Sequence, residues 1–268
     1  MILIKIGGGK KINLDYICED IKILIDQQGE KVILVHGASV ARDEIAEKMG
    51  APTKTITSPT GISSVYTDKT AIDIFLMTYP GLVNKRIVAK LQSYGVNAIG
   101  LSGIDGQLWK GKRKTAVYVK EGAKTKLITD NMTGKVTKIN FNLINLLLNN
   151  KYLPVICPPA LSEENEIINT DNDWACAVMV GALKIQKMIS LFEASGLLKK
   201  FGDESSLIKN VDKNKLDEYF IYTQGRMKKK LLGAKEAFAQ GLKQLYWSDG
   251  RIKNPIIKAL KGEGTIIS

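Results

Sequence analysis

The feature that most constrains this fold is an alternation of short apolar, β-prone runs with segments of helical periodicity. The runs are ILIKI at 2–6, VILV at 32–35, VNAIGL at 96–101, LPVIC at 153–157, MISLF at 188–192 and LYW at 245–247. Strands that alternate with helices are joined by crossovers, so the pattern predicts an α/β fold with a largely parallel sheet covered by helices. Between the first two runs, Leu14, Ile17, Ile21, Leu24 and Ile25 fall on one helical stripe, and Gly29 supplies a stop. Further helices are expected at 40–49, after Tyr66 and near 141–148. The stretch 110–136 is polar, glycine-dotted and strand-prone, which reads as a hairpin excursion beside the sheet. Neither an internal repeat nor a low-complexity linker interrupts the chain, so any lobe boundary falls inside continuous structure, near Thr170.

With 268 residues, 44% of them hydrophobic, the chain can bury a substantial core as one large domain or two closely joined lobes. No apolar run approaches the roughly 20 residues that cross a bilayer, and Met1 opens directly into the first run, so a cytoplasmic protein without membrane contact is expected. Cys18, Cys157 and Cys176 are far apart and His36 is the only histidine, which fits buried reduced thiols better than a zinc cluster or a disulfide framework. The net charge of +12 favours acidic partners, whether nucleotides, a nucleic acid or an acidic protein. Lysine clusters occur at 110–114, 199–200 and 228–230, and the first two read as solvated faces.

Lys5-Ile6-Gly7-Gly8-Gly9 leaves the first run where the carboxyl edge of a parallel sheet opens into a ligand crevice. Alternation along the strand would bury Ile2, Ile4 and Ile6 on one face and send Lys5 to the other. Glycines there admit either a tight turn or close approach of backbone N–H groups to an anion. The second run ends similarly, in His36-Gly37-Ala38-Ser39, ahead of a helical segment. Two such ends side by side would converge backbone donors and a helix N-terminus on one site. His36, closing a buried strand, reads as a hydrogen-bonded packing residue. Neither a P-loop nor a dinucleotide-binding glycine fingerprint is present.

The ordered blocks ILIKIGG, LVHG, SPTGISSVYTDK, NKRIVAKL, NAIGLSGIDG, TGKV, INTDNDWA, RMKKKLL and GTIIS resemble the amino acid kinase family nearly end to end. Within it they resemble acetylglutamate kinases and the kinases that act on aminoadipate or glutamate held on the amino-group carrier protein LysW. That resemblance implies a three-layer αβα sandwich around a mainly parallel sheet of about eight strands. It also implies an acceptor-binding lobe over 1–170, a nucleotide-binding lobe over 171–268, a homodimer, and transfer of phosphate from ATP with Mg²⁺ to a carboxylate. By the same resemblance, Lys5 and Lys230 match lysines that stabilise the transferring phosphoryl group. Asp173 matches the aspartate that holds both, and Asn169 matches an acceptor-binding residue. Gly7, Gly8, Gly37 and Gly196 fall at nucleotide-side glycines, whereas Ala38, Ser39 and Val65 occupy acceptor-side positions.

The chemistry agrees with these assignments. Positioned cations and N–H groups suit a phosphoryl transfer, and a carboxylate acceptor is ionised near neutral pH and needs no general base. Asn169 and Asp173, four residues apart, would share a helix face if the helix has begun by Asn169, while the same acidic stretch also suits an N-cap. Lys228 and Lys229, beside Lys230, are expected to be exposed.

The chain departs from the family at three places. Ala38-Ser39 replaces two glycines, Ser63 and Val65 stand where the carrier-protein kinases have arginines, and Phe192-Glu193 replaces a Ser-Asp pair. The expected activity is therefore phosphorylation of carrier-bound aminoadipate or glutamate in lysine or arginine biosynthesis, with altered acceptor recognition. Free N-acetylglutamate as acceptor and a non-catalytic nucleotide sensor are the alternatives, while nucleic-acid binding rests on net charge alone.

Overall fold

The computed structural model describes residues 1–59, 61, 63–122 and 124–268. Eight strands form the central sheet: β1 (Ile2–Ile6), β2 (Val32–His36), β3 (Ala98–Ser102), β4 (Leu153–Cys157), β5 (Lys187–Phe192), β6 (Asn210–Val211), β7 (Gln244–Asp249) and β8 (Thr265–Ile267). They lie in the order β6-β8-β7-β5-β1-β2-β4-β3. Every neighbouring pair is parallel except β7 with β8. The six apolar runs of the sequence are β1, β2, β3, β4, β5 and β7. Their continuous burial at β1, β2 and β4 is what a sheet covered on both faces requires.

The helices are α1 (Leu14–Asp26), α2 (Ser39–Lys48), α3 (Lys69–Leu76), α4 (Asn84–Ser93), α5 (Phe141–Asn149), α6 (Asn172–Leu183), α7 (Arg226–Ala239) and α8 (Pro255–Leu260). One core packs Ile2, Ile4 and Ile6 against α1, α4 and α8 through residues such as Ile21, Leu91 and Ile256. The other packs Leu3, Ile33 and Val35 against α5, α6 and α7 through Ile144, Met179 and Leu231. Each fully buried aliphatic side chain contributes about 1.5–3 kcal/mol, so the two cores hold the three layers together. Because β1 alternates between them, Lys5 stands on the α6–α7 side of the sheet.

Side-chain caps fix where several helices begin. Asn13, Asp68, Asn140 and Asp171 each accept a hydrogen bond from the first turn of the helix that follows, at 3.2, 2.9, 3.2 and 3.1 Å. The last of these corrects the conditional reading of Asn169. The helix starts at Asn172, and Asn169 ends the preceding strand Ile167–Thr170, so Asn169 and Asp173 share no helix face.

The excursion at 110–136 is more than a hairpin. Strands Trp109–Arg113 and Thr133–Ile139 join Ala160–Ser162 and Ile167–Thr170 in a closed four-stranded barrel, and Val117–Glu121 with Lys124–Ile128 forms the projecting hairpin. Gly134 permits the closure, since a β-carbon there would come within 2.7 Å of the Lys112 carbonyl oxygen. Helix α4 follows a π-helical segment, Met77–Val83, that contains Pro80, and that irregular backbone masks the helical period in the sequence. Among the described residues no helix is long and apolar enough to cross a membrane.

Candidate active site

A cleft of about 1550 Å³ opens along the carboxyl ends of β1 and β2, between the barrel with its neighbouring hairpin and the α6–α7 pair. Its size exceeds the roughly 300–1,000 Å³ typical of one small-molecule site, which leaves room for two substrates end to end.

At its centre, Lys5 and Lys230 converge on one carboxylate. Lys5 Nζ lies 2.9 Å from Asp173 Oδ1, and Lys230 Nζ lies 3.5 Å from the same oxygen. The three side chains come from β1, α6 and α7, and their side-chain exposures of 6%, 16% and 10% make the trio nearly dry. Phe192 closes the trio from below, with Lys230 Nζ 5.0 Å from its ring centroid. Burial acts to raise the Asp173 pKa, but Lys230 and Lys5 outweigh it and hold the carboxyl down at about 2. Burial also opposes the charge on Lys5, yet the closer contact with Asp173 raises its pKa above the ordinary lysine value. Lys230 is the less compensated amine: burial, with Lys5 beside it, lowers its pKa to about 8 against the pull of Asp173. Two cations on one anion leave a surplus positive charge, which an incoming phosphate would neutralise.

The glycine turns divide their labour in a way the sequence does not show. Gly7 N–H donates to Leu191 O at 2.9 Å and Gly37 N–H to Ile6 O at 2.9 Å, so both amides continue the sheet ladder. Among the described residues, the N–H groups of Gly8 and Gly9 have no acceptor, Ala38 N–H faces the Tyr79 hydroxyl, and Ser39 N–H belongs to the open first turn of α2. These donors gather where the two turns touch: a β-carbon on Gly8 would collide with Ser39 N and lie 2.6 Å from Ala38 N. The Ala38 methyl points away from this cradle, into a cluster with Phe75, Tyr79 and Cys157. Ser39 Oγ donates to Gly8 O at 3.3 Å and accepts from Arg226 Nη1 at 3.1 Å, linking α2 to α7 across the cleft. Glu193 folds over the same loop, accepting from Lys11 N–H at 2.5 Å.

His36 is a packing residue. It is fully buried, its Nδ1 donates to Gly37 O at 3.3 Å, and its Nε2 accepts from Asn84 Nδ2 at 3.0 Å. Burial lowers its pKa to about 4, so the ring stays neutral. The three cysteines are buried and free.

On the barrel side, Asn169 Nδ2 donates to Thr67 Oγ1 at 3.0 Å, and that hydroxyl donates to Val65 O at 3.2 Å. Val65 belongs to the strand Ser63–Val65, paired with Thr55–Thr57 at the mouth of the cleft. Thr60 and Ile62, within the SPTGISSVYTDK block, lie outside the described residues. On the opposite side, Gly196 lets the chain pass Thr265: a β-carbon there would meet Thr265 N at 2.9 Å and Leu207 Cδ1 at 2.8 Å. Leu197, Leu198 and Phe201 continue that wall.

The sequence reading missed Gly233 and the half-buried placement of Lys228 and Lys229, while Lys114 is exposed, as expected of its cluster, and lines the cleft. Gly233 had a signal, since glycine inside a helix costs about 1 kcal/mol relative to alanine and so points to a packing need. It sits one turn beyond Lys230, where a β-carbon would come within 2.8 Å of the Asp173 β-carbon.

A model described as the amino acid kinase family matches residues 1–246. The chain belongs to the amino acid kinase family. It is accordingly a phosphotransferase, and kinases of this family use ATP. The chain is 44% identical over 269 residues to LysW-aminoadipate kinase of Thermus thermophilus, covering all of both chains. It is 45% identical over 268 residues to LysW-aminoadipate kinase of Deinococcus radiodurans, covering all of this chain and 91% of that one. The solved structure of smu.665 from Streptococcus mutans superimposes with a TM-score of 0.78 at 21% identity, covering all of this kinase and 98% of that chain, a likeness of fold.

Proposed function

We propose that this kinase transfers the γ-phosphoryl group of ATP to the side-chain carboxylate of 2-aminoadipate carried by its amino group on LysW, as a step toward lysine. The observation that carries the reading is the buried Lys5–Asp173–Lys230 trio at the middle of a cleft with room for two ligands. Full-length similarity to two LysW-aminoadipate kinases supports this choice of acceptor. The acceptor lies toward Val65 and Asn169, in the lobe formed by 1–170. The nucleotide lies toward Gly196, in the lobe formed by 171–268.

A carboxylate oxygen of the acceptor attacks the γ-phosphorus, the bond to the β–γ bridging oxygen breaks, and ADP departs with that electron pair. The product is an acyl phosphate, and no proton has to move. Lys5 and Lys230 lie where negative charge accumulates on the transferring group, and Asp173 holds both amines so that little reorganisation accompanies the step. The N–H groups of Gly8, Gly9 and Ser39 supply further donors to the phosphate oxygens.

Among the described residues no group of three or more His, Cys, Asp or Glu side chains could hold a metal ion. So sparse a donor set would suit Mg²⁺ that arrives with the nucleotide, where the ion would offset phosphate charge.

Incubation with ATP, Mg²⁺ and LysW-aminoadipate, with hydroxylamine as trap, is expected to give the hydroxamate of the acyl phosphate. Parallel reactions with LysW-glutamate and free N-acetylglutamate identify the acceptor. Tight ATP binding without hydroxamate from any of the three would replace the kinase reading with a nucleotide sensor.

A further inference from the structure

The strand at the acceptor end of the cleft, Ser63–Val65, brings no cation to the site, yet an aminoadipate held by its amino group keeps a second carboxylate besides the reacting one. This inference therefore rests on the function proposed above. The cations lining the cleft are Lys5, Arg42, Lys114, Lys135, Arg226, Lys229 and Lys230. Lys5 and Lys230 are committed to Asp173, Arg42 pairs with Asp43, and Lys135 lies 3.3 Å above the Trp174 ring centroid. Lys114, Arg226 and Lys229 remain without a carboxylate at ion-pairing distance among the described residues, Arg226 donating instead to the Ser39 hydroxyl.

All three line the one cleft. Burial lowers the pKa of the half-buried Lys229 against the pull of Asp171, and Lys114 and Arg226 push it down further. Asp171 and Asp173 attract Lys229, yet neither forms an ion pair with it among the described residues. Of the three, Lys114 lies beside the strand that carries Asn169, on the side given to the acceptor. Lys114 N–H donates to Thr133 O at 2.8 Å, and Thr133 is the register partner of Asn169. Thr170, next in that strand, is 7% exposed, lines the cleft, and its hydroxyl has no hydrogen-bond partner. A buried hydroxyl without a partner is costly, and a carboxylate would satisfy it while relieving the crowded cations.

We propose that Lys229 and Lys114, assisted by the Thr170 hydroxyl, bind the acceptor carboxylate that is not phosphorylated. Lys229 would thus place the acceptor, while the adjacent Lys230 faces the phosphate.

The test is steady-state kinetics of the full-length enzyme with LysW-aminoadipate and with its carboxamide at the non-reacting carboxylate. Lys229→Met and Lys114→Met are expected to raise the acceptor KM by about 10-fold or more, with the ATP KM changed less than about twofold. Lys229→Arg should restore most of the affinity, and the carboxamide should bind wild type poorly and Lys229→Met no worse. Thr170→Val provides an independent arm if a lysine variant folds poorly, and is expected to raise the acceptor KM as well. An unchanged acceptor KM, or a raised ATP KM alone, overturns the proposal and assigns these amines to solvent or to the nucleotide. Failure of wild type to turn over the carrier-bound substrate sinks the aminoadipate reading and this inference together, whereas wild-type turnover with indifferent variants sinks the inference alone.

Discussion

Gly233 of α7 lies against Asp173 of α6 so closely that a β-carbon on the glycine would stand 3.0 Å from the aspartate carbonyl carbon and 3.1 Å from its oxygen. Lys230 reaches the carboxylate because the helices meet at this glycine. Alanine at 233 would stabilise an isolated helix by about 1 kcal/mol, yet here it forces the helices apart, an overpacking cost of about 1–3 kcal/mol. Gly233→Ala is therefore expected to lower both stability and kcat. Denaturant unfolding and turnover measured together test this, and an unchanged kcat would show that Lys230 does not depend on the contact.

Each member of the trio should fail in its own way. Lys5→Met and Lys230→Met are expected to lower kcat by about 10²–10³-fold with smaller changes in KM, because the amines act on charge that develops in the transition state. Asp173→Asn also strips two buried cations of their counter-charge, so it should destabilise the fold by about 3 kcal/mol or more in addition to lowering kcat. Urea midpoints separate these outcomes.

The alkaline limb of the pH profile should belong to Lys230. The protonated amine binds phosphate and the neutral amine does not, so kcat/KM for ATP should fall as pH rises through about 8. Its effect on stability has the opposite sign. Between about 8 and the ordinary value of 10.5 the unfolded chain keeps a proton that the folded chain has released, so this residue's contribution to stability rises with pH. Lys230→Arg should move the kinetic limb upward, and a limb that stays in place would assign it to another group.

Gly8→Ala should damage nucleotide handling more than folding of the sheet. The added methyl group runs into the amides of Ser39 and Ala38, so the turns must separate and the donor cradle opens. A rise of about 10-fold or more in the ATP KM is expected by steady-state assay, with the three buried thiols still protected from alkylation.

Chelation should stop turnover without loosening the protein. A metal carried by the nucleotide contributes nothing to the folding of the free chain, so EDTA is expected to leave the thermal midpoint within about 1 °C while abolishing hydroxamate formation. A large drop in the midpoint would reveal a structural ion.

The sheet was legible in the sequence because buried parallel strands appear as uninterrupted apolar runs, and all six runs are strands of it. The short β6 and β8 carry too few residues for a pattern, and α4 is hidden by the π-helical turn and Pro80 ahead of it. Lys5, Asp173 and Lys230, which the structure brings together, were singled out through resemblance, and alternation in ILIKI independently placed Lys5 opposite Ile4 and Ile6. Nothing in local sequence could show that the Gly7 and Gly37 amides are used by the sheet, or that Lys114 and Lys229 line the same cleft, since both depend on tertiary register. The exposure expected of Lys228 and Lys229 also gave way, since both are half-buried on α7.

The position of β1 between β2 and β5 has a consequence for how the chain comes together during synthesis. Ile2–Ile6 lies in the middle of the sheet, and one of its flanks stays unpaired until the segment 187–192 has been made. A fragment ending at Thr170 would carry that bare apolar edge into solvent, so the two halves should fold as a pair and aggregate when expressed apart.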